Sequence, residues 1–170
     1  MTEHKNLLLN NQLCFALYAA TNSIIRYYRV YLKDIGITYP QYLVLLVLWE
    51  YESLSIKGIG KILKLDSPTI TPIVQKLEKI NMVKRERNKN DERVVFVSLT
   101  PKGINLETEV AEIQNKVACK THLKTKEFNE LKKTLNTLTE TMENRNKLDT
   151  LLGKKIKTNK SVNLRLAKKN

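Results

Sequence analysis

Residues 66–103, DSPTITPIVQKLEKINMVKRERNKNDERVVFVSLTPKG, change their apolar period midway. In the first half Ile70, Ile73, Val74 and Leu77 recur at helical spacing. Asp66 or Ser67 can accept from the orphan amides of that helix's start, and Pro68 suits the first position, where its missing donor is not needed. Beyond Met82 the helical period is lost. Val95, Val97 and Leu99 alternate with Val94, Phe96 and Ser98, and NKNDE (88–92) is turn chemistry, so this half is a β-hairpin. Thr100-Pro101 then caps a further helix.

Upstream, SIKGIGKILKL (55–65) is a second short helix, joined to the first by a few residues. The pair leaves Ser67, Thr69, Thr71, Gln75 and Lys76 pointing outward, the outline of a helix-turn-helix. Gly58 and Gly60 each cost up to ~1 kcal/mol relative to Ala, so the close approach of another helix's backbone is expected at one of them. YPQYLVLLVLWEY (39–51), opened by Pro40, is apolar almost all round and must be enclosed by its neighbours. A long amphipathic helix from about Leu7 to Leu32, ending near Gly36, carries Cys14, Leu17, Tyr18, Thr21, Ile24, Ile25 and Tyr28 on one stripe. Downstream, helices are expected over Pro101 to His122 and Lys126 to Asn146, the last striped by Leu131, Leu135, Leu138 and Met142. The fold class is mainly α with a small β-wing, a winged helix-turn-helix.

The 170 residues are 42% hydrophobic, enough for one respectable core, and carry a net charge of +13. Such a field attracts nucleic acid, anionic membrane or an acidic protein. The stretch 153–170 holds seven basic residues and no acidic one, and removing them still leaves +6 on the rest. It reads as a solvated tail or as an arm adding phosphate contacts. YLVLLVLW is far short of the ~20 residues that cross a bilayer, and no membrane partner is expected. Two cysteines make no disulfide framework, and the start MTEHKNLLLNNQ lacks a secretory pattern, so the expected location is the cytoplasm.

Enzyme chemistry finds little support. The five glycines form no phosphate-cradling loop, and His4 and His122 have no metal-ligand spacing with the cysteines, so neither metal nor cofactor is expected. DNA binding has three concordant features: a polar-faced second helix, a basic hairpin and a basic field. In the hairpin Lys84, Arg85, Arg87, Lys89 and Arg93 outnumber Glu86, Asp91 and Glu92. With the second helix in the major groove, a wing lies beside the flanking minor groove, where Arg93 fits narrow A·T geometry. Asp91 is expected to orient its guanidinium.

Cys14, within NNQLCFALYAATNSIIRYY (10–28), reads two ways: a small core hydrophobe, or a thiol near a helix start, where the dipole favours the thiolate. Residues 66–103 resemble the signature of the MarR family of winged-helix regulators, and the resemblance extends over roughly residues 7–147. More narrowly, NNQLCFALYAA (10–20) with GITYPQYLVLLVLWE (36–50) is similar to the organic hydroperoxide resistance repressors and their staphylococcal relatives.

The resemblance implies a MarR-type domain over 1–147, with the winged helix-turn-helix at about 38–100. Helices at about 7–34 and 101–147 would interlock a homodimer on a pseudo-palindromic, double-stranded operator. It also implies that Cys14 is oxidised by an organic hydroperoxide and that DNA is then released, with Tyr28 and Tyr39 donating hydroxyl hydrogen bonds to the thiolate. Fourteen helical residues at ~1.5 Å each separate Cys14 from Tyr28 by about 21 Å, so such a donor must come from a partner helix. Cys119, in VACKTHL (117–123), is either a resolving thiol or an incidental cysteine near a helix end. The basic tail, 148–170, is longer than the family core requires. Two other readings stay open: a MarR regulator of small phenolic or lipophilic ligands with Cys14 as packing, and a non-regulatory basic winged-helix nucleic-acid binder.

Overall fold

The computed structural model describes residues 3–166, without the side chains of 147–149 and 151–166. The chain falls into two units, Met1–Thr121 and His122–Asn170.

At the centre of the first unit is the oily helix α2 (Tyr39–Tyr51), which buries Tyr42, Val44, Leu45, Val47 and Leu48. Its start is fixed by a capping box: the Thr38 amide and hydroxyl both donate to Gln41 Oε1, at 2.7 and 3.0 Å. Helix α1 (Leu13–Ile35) precedes it, with Tyr28 and Leu32 buried. Gly36 closes α1 at φ +77°, a conformation that only glycine takes cheaply.

The helix at 55–65 and the helix at 66–80 are both present, as α3 (Ile56–Leu63) and α4 (Ser67–Lys79), capped by Ser55 and Asp66. The hairpin is β2 (Val83–Arg87) and β3 (Val95–Leu99), in register from Val83 opposite Leu99 to Arg87 opposite Val95. A third strand, β1 (Ser53–Ser55), pairs antiparallel with the far edge of β3, giving the order β1-β3-β2. Sequence reading missed it because three residues are too few to display a period. Helix α5 (Pro101–Asn105) and helix α6 (Glu107–Lys120) complete the unit. The core is one cluster in which Ile59, Ile70, Val74, Leu77, Val97, Val110 and Ile113 close around α2.

Two boundaries and one close approach depart from expectation. Residues 5–11 form two 3-10 turns, Lys5–Leu7 and Leu9–Asn11, rather than the first turns of α1. Asn11 donates to the Lys5 carbonyl at 2.8 Å, the side-chain-to-backbone bond by which asparagine competes with a helix, and Gln12 donates to the Asn6 carbonyl. The helix expected over Pro101 to His122 is broken at Leu106. The Gly103 carbonyl, which the next helical turn would use, accepts from the Trp49 indole at 3.0 Å. The tight approach at Gly60 is real but different in kind. A Cβ there would lie 2.6 Å from the Leu65 carbonyl oxygen, in the turn that joins α3 to α4, so a turn rather than another helix presses against it.

The second unit is helix α7 (Thr125–Leu166). It runs past Asn146, across the boundary read at 147. The basic side chains of the tail lie outside the described residues. Among the described residues no helix is long and apolar enough to cross a membrane.

Candidate nucleic-acid interface and thiol site

Helix α4 turns Ile70, Val74 and Leu77 inward and leaves Ser67, Thr69, Gln75 and Lys76 exposed. Thr71 is half-buried, its hydroxyl donating to the Ser67 carbonyl at 2.7 Å. Asp66 accepts from the Thr69 amide at 3.0 Å, and Thr69, through its hydroxyl first and its amide second, holds the Asp66 carboxyl below its ordinary value. Pro72, on the exposed side, removes the donor that would reach the Pro68 carbonyl. The far end of α4 closes on Asn81, at φ +59°, with Met82 N–H on the Leu77 carbonyl (3.0 Å) and Asn81 N–H on the Glu78 carbonyl (2.9 Å). Thr100 clasps this turn, its hydroxyl donating to the Asn81 carbonyl at 2.7 Å while its amide donates to the Met82 carbonyl at 3.1 Å.

In the wing, Arg87, Lys89 and Arg93 are exposed and flank the loop, whose last ladder bond runs from Asn88 N–H to the Val94 carbonyl at 2.8 Å. Two of the named residues carry contacts that the sequence did not show. The Asp91 carboxylate accepts the backbone amide of Arg93 at 3.0 Å, which shapes the loop. Arg85 is not presented to solvent as a free cation. Its Nε and a terminal nitrogen both donate to Glu78 Oε2, at 2.7 and 2.6 Å. Lys84, on the opposite face of β2, pairs with Glu86 at 2.9 Å. A cavity of about 450 Å³ is bordered by Ile56 and Lys57 of α3, Ser67 and Thr71 of α4, and Arg85 and Arg93 of the wing.

The thiol residues are distributed over one chain as follows. Cys14 is the second residue of α1, exposed, on a helix start with no side-chain cap and no acidic residue in its first turn. Tyr28 and Tyr39 are together, ring centroids 5.1 Å apart. Sequence reasoning missed the third member of this cluster, Tyr42, whose ring lies 5.1 Å from Tyr28 and 5.7 Å from Tyr39. The signal was its helical i, i+3 spacing from Tyr39. Burial, and then the neighbouring Tyr28, raise the Tyr39 phenol. Burial and then a hydrogen bond with Tyr28 raise that of Tyr42 further. Since α1 is one unbroken helix, Cys14 stands about 21 Å from Tyr28 in the same chain. Cys119 is exposed, in the last turn of α6.

A three-stranded wing behind a helix pair with a polar outer face defines a winged-helix, DNA-binding transcription regulator of the MarR type. A family model described as "Transcriptional regulator SarA/Rot" matches residues 26–110. The chain belongs to this SarA/Rot branch of the MarR-type regulators.

Among relatives, it is 39% identical over 141 residues to the organic hydroperoxide resistance transcriptional regulator of Bacillus subtilis, covering 83% of this chain and 96% of that one. It is 37% identical over 137 residues to the Staphylococcus aureus regulator MgrA, covering 79% and 91%. Among solved structures it is similar to reduced AbfR bound to DNA, with a TM-score of 0.70 and 35% identity over 84% of this chain and 97% of that one. AbfR, from Staphylococcus epidermidis, is also known in a disulfide form, with a TM-score of 0.57, 38% identity and coverage of 79% and 90%. These relatives are transcriptional regulators, not enzymes.

Proposed function

We propose that this protein is a homodimeric repressor that senses organic hydroperoxide through Cys14 and then lets go of a pseudo-palindromic operator. The observation that carries the reading is the division of the sensing groups. The tyrosine cluster sits at one end of α1 and the exposed Cys14 at the other, so a complete thiol site needs two chains. The exposed apolar residues Leu13, Phe15, Tyr18 and Val30 along α1 favour a second copy as what covers them. A single helix such as α7 cannot enclose its own stripe of Leu131, Leu135, Leu138 and Met142, which favours the same conclusion.

The chemistry balances with the peroxide alone. The Cys14 thiolate attacks the outer oxygen of the hydroperoxide, the O–O bond breaks, the alcohol leaves with a proton, and the sulfur becomes a sulfenic acid. A second thiol, Cys119 of the partner or a small free thiol, then displaces water to give a disulfide. DNA would be read by Ser67, Thr69, Thr71, Gln75 and Lys76 in the major groove, with Arg87, Lys89 and Arg93 on the wing. A Cys14→Ser variant is expected to bind operator and to stay bound after cumene hydroperoxide in a gel shift. Release as readily as wild type would overturn the reading. A cavity of about 410 Å³ beside Tyr42, Leu46, Trp49 and Val110 favours the second reading, a small phenolic ligand. That reading predicts release by the ligand with Cys14→Ser intact.

A further inference from the structure

We infer that Glu78 and Arg85 form a positioning pair that sets the gap between the recognition helix and the wing, and that Arg85 acts on DNA through Glu78 rather than by touching phosphate. The inference rests on the reading of α4 and the β2–β3 wing as the two elements that contact DNA.

Glu78 lies in the last turn of α4, and Arg85 lies in the middle of β2, opposite the fully buried Val97. Between them the chain reverses through the Asn81 turn, which Thr100 clasps, and the pair adds a side-chain tie between the end of α4 and the middle of β2. Two guanidinium nitrogens converge on one carboxylate oxygen at 2.6 and 2.7 Å, with side chains only 31% and 35% exposed. A charge-assisted fork of this kind is directional as well as attractive, and partial burial limits its screening by salt. The pair also sits where leverage matters. Arg85 borders the cavity of about 450 Å³ that has Thr71 of α4 on one side and Arg93 of the wing on the other. Loss of the pair lets that gap widen or close, and a major-groove helix and a minor-groove wing bind together only at one spacing.

The phosphate-contact alternative makes opposite predictions, which the sign of one substitution decides. If Arg85 contacted phosphate, Glu78→Ala would free it and remove an anion, and DNA binding would tighten. Arg85→Ala would lower the slope of log affinity against log salt by about 1. A positioning pair predicts that Glu78→Ala weakens binding despite making the protein more basic, by about tenfold, the size of one charge-assisted pair.

The experiment uses the full chain and a duplex selected from a random pool by the wild-type protein. Affinity is measured against salt for Glu78→Ala, Arg85→Ala and the double variant, with hydroxyl-radical footprints and melting temperatures alongside. The expected result is equal loss in all three, an unchanged salt slope and lost protection of the outer minor groove with the major-groove contact retained. Tighter binding by Glu78→Ala, or a slope lowered only by Arg85→Ala, overturns the inference. Gln75→Ala and Arg93→Ala test the underlying interface separately. If they weaken binding while Glu78→Ala does not, the pair is merely structural. If none of them matters, α4 and the wing are not the DNA-contacting elements and the pair falls with them.

Discussion

Gly103→Ala should cost this protein far more than replacing an exposed helical residue by alanine does. A Cβ at Gly103 would stand 2.2 Å from the Met82 carbonyl oxygen and 3.1 Å from Leu99 Cδ2. Ordinary carbon contacts lie near ~3.5 Å, so α5 must retreat from the start of β2 by about 1 Å. The retreat strains two hydrogen bonds that Gly103 makes, its amide to Thr100 Oγ1 at 3.2 Å and its carbonyl from the Trp49 indole at 3.0 Å. Overpacking of this kind costs roughly 1–3 kcal/mol, each lost hydrogen bond about 1, and the better helix propensity of Ala returns about 1. The net expectation is a loss of about 2–4 kcal/mol from a total that is typically only ~5–15. Urea denaturation followed by far-ultraviolet circular dichroism measures it, with an unchanged slope showing that only stability moved. A change below about 0.5 kcal/mol, or a gain in stability, would mean that Met82 and Gly103 do not abut, and with them the clasp between α4, the wing and α5.

Arg93→Ala is expected to weaken operator binding with the fold intact, because the side chain is exposed at the wing loop and only its backbone is engaged by Asp91; unchanged affinity in a gel shift would refute its role. The raised phenols of Tyr39 and Tyr42 stabilise the fold fully below the unfolded value of about 10 and lose that contribution as pH climbs through their folded values. Denaturation followed from about pH 9 upward should therefore show stability level to about pH 10 and a falling limb beyond it that Tyr42→Phe flattens, and an unaltered limb would refute the tyrosine assignment. Asp66→Ala should speed hydrogen exchange at the Thr69 amide while Asp66→Asn, still a cap, should not. Because the Asp66 carboxyl is depressed, its help is present above the unfolded carboxylate range and is lost as pH falls through the folded value.

The helix-turn-helix was legible in the sequence because local signals and burial agree there. The inward stripe of α4, its cap at Asp66 and the alternation of β3 are each written in neighbouring residues. What the sequence hid depends on partners far along the chain. Strand β1 exists only because β3 offers it an edge, with Ser53 opposite Ser98. The break at Leu106 depends on Trp49 reaching Gly103, 54 positions away. The partner of Arg85 was hidden for the same reason. A basic residue on a basic hairpin looks unpaired in the sequence, and only the fold brings Glu78 to it. Tyr28 and Tyr39 were named through resemblance alone, and Tyr42 escaped because a tyrosine on an oily helix is indistinguishable from core until its neighbours are known.

On the redox reading, the tyrosine cluster couples a thiol to DNA. Helix α1 is a rod about 34 Å long at ~1.5 Å per residue, free at its Cys14 end and embedded at its Tyr28 and Leu32 end. Gly36 to Thr38 is the whole connection to α2, and the capping box at Thr38 leaves it little play. Tyr28 packs on Tyr39 and Tyr42, the first and fourth residues of α2, so a displacement of its ring is delivered to the start of that helix. Close-packed interiors do not absorb such a displacement by compression. Helix α2 packs in turn against α3, α4 and β3 and, through Trp49, holds the Gly103 clasp. On the redox reading, an oxygen added to the partner's thiol is forced against these rings, and the least costly response is a rigid shift of α2 with the winged unit attached. The distance between the two recognition helices of the dimer, rather than the shape of either one, is then the quantity that oxidation changes.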